Sequence, residues 1–156
     1  MLNESLPEML LVAKYCVEFR KDPNQWLSEG CYGYPAALIL LSIVDSIGSY
    51  IEQGSVANHF SILNNQEYYN LNLEQSTIKV IYNYYRNTLS HHTVLTKNIA
   101  LDIGQIGDNL IDKVNNCYIL KLVPFYNISV DVINKFLNNP EILKNNKTIE
   151  YINKKI

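Results

Sequence analysis

The sequence predicts a single, mostly α-helical domain over residues 1–156, with a small β-hairpin after its third long helix. Three observations carry that prediction. Apolar residues recur at intervals of three and four through three long segments, the spacing that aligns side chains on one helix face. Residues that start and stop helices bracket those segments. Only "NIALDIG" and "CYILKLV" look like short strands, the second mixing β-branched, aromatic and apolar residues, and these two are read as the hairpin. The length suits one domain with a real core, and a content of 47% hydrophobic and 18% charged residues is that of a packed globule rather than a disordered chain.

In chain order, Ser5-Leu6-Pro7-Glu8 has the spacing of a capping box. A first helix is expected from there to about Arg20, burying Leu10, Leu11, Ala13, Cys16 and Val17 and stopped by Asp22-Pro23. Pro35 suits the first turn of a second helix, "AALILLSIVDSIGSYIEQG", which is apolar over most of its circumference and ends at Gly54. This is the expected central helix. Its one polar strip is Ser42, Asp45, Ser46 and Ser49, again at intervals of three and four.

The Asn-rich stretch from Ser55 to Leu73 suggests short helical turns around "NHFSIL" and "QEYYNL". A third helix is expected from about Glu74 to His91, with Ile78, Ile81, Tyr82, Tyr85 and Leu89 as its stripe. Beyond the hairpin, Ser129 and Asn139-Pro140 are expected to start two terminal helices. The last of these carries Lys144, Lys147, Lys154 and Lys155, a solvated face or a source of phosphate contacts.

A formal charge of −2 gives no overall basic field, so contact with nucleic acid would have to be local. Cys16, Cys31 and Cys117 form no C-x-x-C pair, which suggests neither a zinc knuckle nor a disulfide framework. "MLNESLPEML" lacks the basic start of a secretory signal, and the longest apolar run, Pro35 to Val44, falls short of the roughly 20 residues of a membrane span. The expectation is a reduced cytoplasmic protein without a membrane association.

The most concentrated chemistry is "NYYRNTLSHHT", residues Asn83 to Thr93, at the end of the third helix. Arg86 and His91 are five residues apart, about 140° around a regular helix, so one such helix cannot aim both at one small target. Either the helix loosens after Leu89, or a second copy of the segment completes the site across a two-fold axis. A guanidinium that matches phosphate oxygens beside an imidazole that moves protons near neutral pH suits a phosphodiester reaction. RNA supplies its own nucleophile in the ribose 2′-hydroxyl, so no metal or cofactor is required.

"YRNTLSHH" resembles the R-x4-H signature of the HEPN superfamily, an all-helical ribonuclease and toxin fold. The likeness extends upstream through "ALILLSIVDSIGSYI" and "NHFSIL", covering about Pro35 to Thr93. It implies a HEPN-like helical bundle, Arg86 and His91 as catalytic residues, and Asn87 in support. It also implies a homodimer that cuts RNA without metal, as a toxin or defence effector with a possible antitoxin or regulatory partner. Where some family members have a nucleotide-accepting tyrosine two residues beyond the histidine, this chain has Thr93. A one-residue shift would make His92 the functional histidine.

Each residue also has a plainer use. Arg86 can serve as the salt-bridge partner that Asp45 needs on an apolar helix, and in a working site Asp45 would orient it. His91 and His92 can be helix-terminal cations. With His59 they are the only histidines, and no H-x-x-x-H or H-E-x-x-H pattern points to a metal. Tyr82 and Tyr85 read as core, Tyr84 as the exposed ring open to base stacking, and the serine strip as either cleft lining or a close-packing face. The rival to the nuclease is a non-catalytic HEPN-like module that binds a nucleotide, RNA or protein.

Overall fold

Seven apolar residues of α2 (Gly33–Ile51), from Ala36 to Ile47, have no exposed surface, and the helices packed on α2 are arranged around them. The computed structural model describes residues 2–27, 29–52, 54–92 and 94–139. α1 (Leu2–Glu18) and α6 (Leu122–Leu137) pack against α2 and against each other. At 19 residues α2 is long and apolar enough to cross a membrane, a test that the core helix of a packed domain also passes. Pro35 sits in its first turn, where backbone N–H groups lack helical partners anyway, and Gly54 turns the chain away at φ +88°.

The ends of the flanking helices differ from expectation. α1 begins at Leu2, so Ser5 is an interior residue rather than a cap, and Pro7 lies within the helix. Its buried stripe is Leu6, Ala13, Cys16 and Val17, with Leu10 half-buried. Leu11, one position and about 100° further round, is 69% exposed. α6 starts at Leu122 rather than Ser129, with Pro124 as its first-turn residue and Ser129 buried in its middle. The terminal helix expected from Asn139-Pro140, with its lysines, lies outside the described residues.

After α2, the segment read as short helical turns is one turn of helix, α3 (Val56–His59), running into a 3-10 turn (Phe60–Asn64). The Asn-rich loop that follows is ordered by Asn64. Its amide donates to Leu73 O at 2.7 Å and accepts from Leu73 N at 2.7 Å, closing the loop like a strand partner.

The third helix runs over 75–92, close to the predicted span, but it is not uniformly α-helical. α4 (Gln75–Val80) gives way to a π-helical segment (Ile81–Arg86), which returns to α-helix as α5 (Asn87–His92). The Asn87 N–H bonds to Tyr82 O, five residues back. Within the wide turn Ile81 and Tyr85 are both fully buried. Such single wide turns recur at functional positions in helices.

Three strands follow. The two predicted strands are neighbours, β1 (Ile99–Asp102) and β3 (Cys117–Lys121), but they run parallel, so they are not the expected hairpin. The hairpin is made by β3 with β2 (Ile111–Val114), giving the order β1-β3-β2. Asn115 and Asn116 form its two-residue turn, both at positive φ, the left-handed geometry that such a turn requires and asparagine tolerates.

Tyr85 fastens the motif helix to this sheet. Its hydroxyl lies 2.9 Å from Ala100 O and 2.7 Å from Tyr118 O, one carbonyl from each of the paired strands. Burial raises the phenol's pKa, so it stays a donor at any ordinary pH. Tyr85→Phe removes the donor and with it the tie between helix and sheet. A loss of about 1–2 kcal/mol in unfolding free energy by urea titration is the expected result.

Candidate functional site

Asp45 stands on a helix that is otherwise core, with a side chain only 21% exposed. A carboxylate so placed must find donors or lose its hydration uncompensated. Both oxygens are met. Oδ2 accepts from Arg86 Nη2 at 3.0 Å, and Oδ1 lies 2.7 Å from Nδ1 of His59. The Arg86 side chain is 28% exposed and that of His59 12%. Nη1 of Arg86 also donates to the Asn87 amide oxygen at 3.2 Å. One carboxylate thus joins three elements: α2, α3 and the motif helix.

Gly48 makes the His59 contact possible. A Cβ at this position would collide with the His59 carbonyl oxygen and come within 2.7 Å of its carbonyl carbon and 2.9 Å of its Cα. Without a side chain there, α3 lies directly on α2 one turn beyond Asp45, and the imidazole reaches back to the carboxylate. The ring of Phe60, next in sequence, tilts against Tyr82 of the motif helix with centroids 5.4 Å apart, fixing the same junction from the other side.

The pairing of Arg86 with Asp45 and the nearness of Asn87 agree with the sequence reading. His91 and His92 are placed differently from the inner cluster. The helix stays α-helical from Asn87 to His92, so it does not loosen after Leu89, and both histidines lie on its exposed surface. The widening comes before Arg86 instead. Within one chain the guanidinium therefore faces Asp45 while the imidazole of His91 faces solvent. Thr93 lies outside the described residues. Ser42 and Ser49 hydrogen-bond back to carbonyls of α2 itself, Leu38 O at 2.8 Å and Ser46 O at 2.7 Å, and the whole strip is half-buried.

Tyr84 is 48% exposed, as expected, with Tyr85 in the core and Tyr82 half-buried. Tyr84 forms one wall of an open cleft of about 250 Å³ with Lys97, Asn98 and Tyr118, apart from the Arg86 cluster. Cys16, Cys31 and Cys117 are free thiols, and burial raises the first two above the usual cysteine value, away from reactivity. Among the described residues no three His, Cys, Asp or Glu side chains gather as a metal site would need.

The residue that sequence reasoning missed is His59. It lies 14 positions from Asp45, so no helical spacing connects them. The available signal was indirect: a glycine one turn after a helix-borne aspartate, followed by a short turn carrying a histidine. Comparison with models of protein families, with curated proteins and with solved structures finds no match to this chain.

Two substitutions test the junction. Gly48→Ala forces α3 off α2 and should cost about 1–3 kcal/mol in chemical denaturation, as overpacking does. Asp45→Asn keeps the volume but removes the charge shared by Arg86 and His59. A loss of about 1–3 kcal/mol is expected, the usual worth of hydrogen bonds to a charged group.

Proposed function

We propose that this chain is a metal-independent endoribonuclease of HEPN type, working as a homodimer in which two motif helices share a cleft. The observation that carries the reading is the Arg86 clamp. Its guanidinium is held by Asp45 and Asn87 at the end of the motif helix, with two hydrogen bonds drawn from its five N–H donors. The remaining donors suit phosphate oxygens in the planar fork that arginine offers.

His91 lies one turn further on, exposed, and across the helix from Arg86. A two-fold axis beside α5 brings the partner's copy of this histidine to the clamp, and the exposed placement leaves it free to cross. In the proposed reaction the ribose 2′-oxygen attacks the adjacent phosphorus, and the bond to the 5′-oxygen breaks. The products are a 2′,3′-cyclic phosphate and a 5′-hydroxyl end. Arg86 stabilises charge on the phosphate, Asn87 bonds to phosphate or ribose, His91 moves a proton, and His92 and Asp45 support them. A role as a toxin or defence effector, with RNA as substrate and a regulatory protein as partner, belongs to the same reading.

The rival is a non-catalytic helical module that binds a nucleotide, RNA or protein. It takes the Arg86–Asp45 contact as a structural tie alone. Single-stranded RNA incubated with purified protein and EDTA separates the two. The expected result is cleavage to cyclic-phosphate ends by the parent and a drop of about 100-fold or more in Arg86→Ala and in His91→Ala.

Mixing those two inactive variants tests the shared cleft. Half of the randomly formed dimers are mixed, and each mixed dimer carries one intact site of two, so about a quarter of parental activity should return. No cleavage by the parent favours the binding module. Activity that EDTA abolishes points to a metal.

A further inference from the structure

We infer that His59 is a second proton-transfer residue of this site, oriented by Asp45 and acting beside Arg86 of the same protomer; the inference rests on the nuclease reading above. Cleavage by a 2′-oxygen requires two proton movements on opposite sides of the phosphorus. One proton leaves the 2′-hydroxyl and another arrives at the departing 5′-oxygen. Two separate groups accomplish this without a shuttle, whereas His91 alone supplies one.

The geometry equips His59 for the first movement. A carboxylate 2.7 Å from Nδ1 places the ring proton there, because an ionised carboxylate only accepts. In the neutral ring this tautomer leaves the lone pair on Nε2. That nitrogen makes no hydrogen bond among the described residues, and the side chain keeps 12% of its surface exposed. This is the arrangement by which an aspartate fixes the tautomer of a histidine base and stabilises the imidazolium that forms.

Arg86 holds the other oxygen of the same carboxylate, so a phosphate on its free donors would lie near the imidazole. Among the described residues, few ionisable groups stand on the elements packed against α3. On α2 they are Asp45, in contact, and Tyr50, and Glu52 just past its end is engaged by the Asn65 amide at 3.0 Å. On the motif helix they are Arg86 and the phenol of Tyr82, which tilts against Phe60. The 3-10 turn, "FSILN", carries none.

The step balances. As the 2′-oxygen bonds to phosphorus, its proton passes to His59 Nε2. As the bond from phosphorus to the 5′-oxygen breaks, His91 of the partner protomer gives its proton to that oxygen. Nothing is oxidised or reduced.

The test is His59→Asn, whose side-chain amide keeps an N–H donor near the Nδ1 position and so keeps the tie to Asp45, but which cannot take a proton. Single-turnover cleavage across a pH range is measured for parent, His59→Asn and His59→Ala, with unfolding midpoints for each. Expected for His59→Asn is a parental midpoint, KM within about twofold, kcat down about 100-fold or more, and loss of the acid limb of the pH–rate profile. A folded His59→Asn with parental kcat and an unchanged profile would overturn the assignment and leave His59 as a tie for Asp45. So would a rise in KM alone. If the parent cleaves and only the His59 variants behave normally, the nuclease reading stands without this residue. If the parent does not cleave, both fall.

Discussion

A single half-buried carboxylate sets the terms for the structure around it. Asp45 interrupts α2, a helix otherwise apolar over its buried face, and its charge is tolerated there because a guanidinium and an imidazole approach its two oxygens from different elements. The cost of placing a carboxylate at 21% exposure is offset by these two partners. α2, α3 and the motif helix are therefore registered to one another by a polar contact, where apolar packing alone would permit sliding. Gly48 is the steric counterpart of that contact. It removes the one Cβ that would hold α3 away from α2.

The π-helical segment plays a matching part on the other wall. A wide turn gives the helix one additional residue before Arg86, so the face that Arg86 presents is set by where the widening falls. Tyr85 fixes that position from inside, since its hydroxyl is committed to carbonyls of β1 and β3. The small sheet, which carries no residue of the Arg86 cluster, thus bears on the cluster indirectly. It anchors the residue next to the arginine, and a shift of the sheet would be transmitted to Arg86 through one peptide unit.

Much of this was legible in the residues. α2 was readable because its apolar pattern, Pro35 and Gly54 all agree, and the Arg86–Asp45 pair was readable because an isolated carboxylate on such a helix has to find a cation. The partners of local structure were less visible. His59 reaches Asp45 through a tertiary approach that only Gly48 hints at, and no periodicity encodes it. The π turn leaves the apolar stripe of the helix almost unchanged, because Ile81 and Tyr85 fit either winding. The parallel pairing of β1 with β3 depended on β2, whose "IDKV" is too short and too charged to stand out, and on an Asn-Asn turn in a chain rich in asparagine. The start of α6 was hidden because Leu122 and Val123 continue the strand pattern until Pro124.

The electrostatics of the cluster bear on why these three groups belong together. The charges of Asp45 and Arg86 cancel, in keeping with a chain whose formal charge of −2 gives no field to attract RNA from a distance. In the proposed reaction, a resting site of that kind spends little on holding the ground-state phosphate. In the proposed reaction His59 becomes an imidazolium as the 2′-oxygen bonds to phosphorus, so the cluster acquires a positive charge just as negative charge grows on the phosphate. Attraction that is weak at the start and strong at the crossing lowers the barrier rather than merely deepening the bound state. Asp45 makes the change possible, since a carboxylate already in contact with Nδ1 stabilises the new cation without any movement of solvent or side chain.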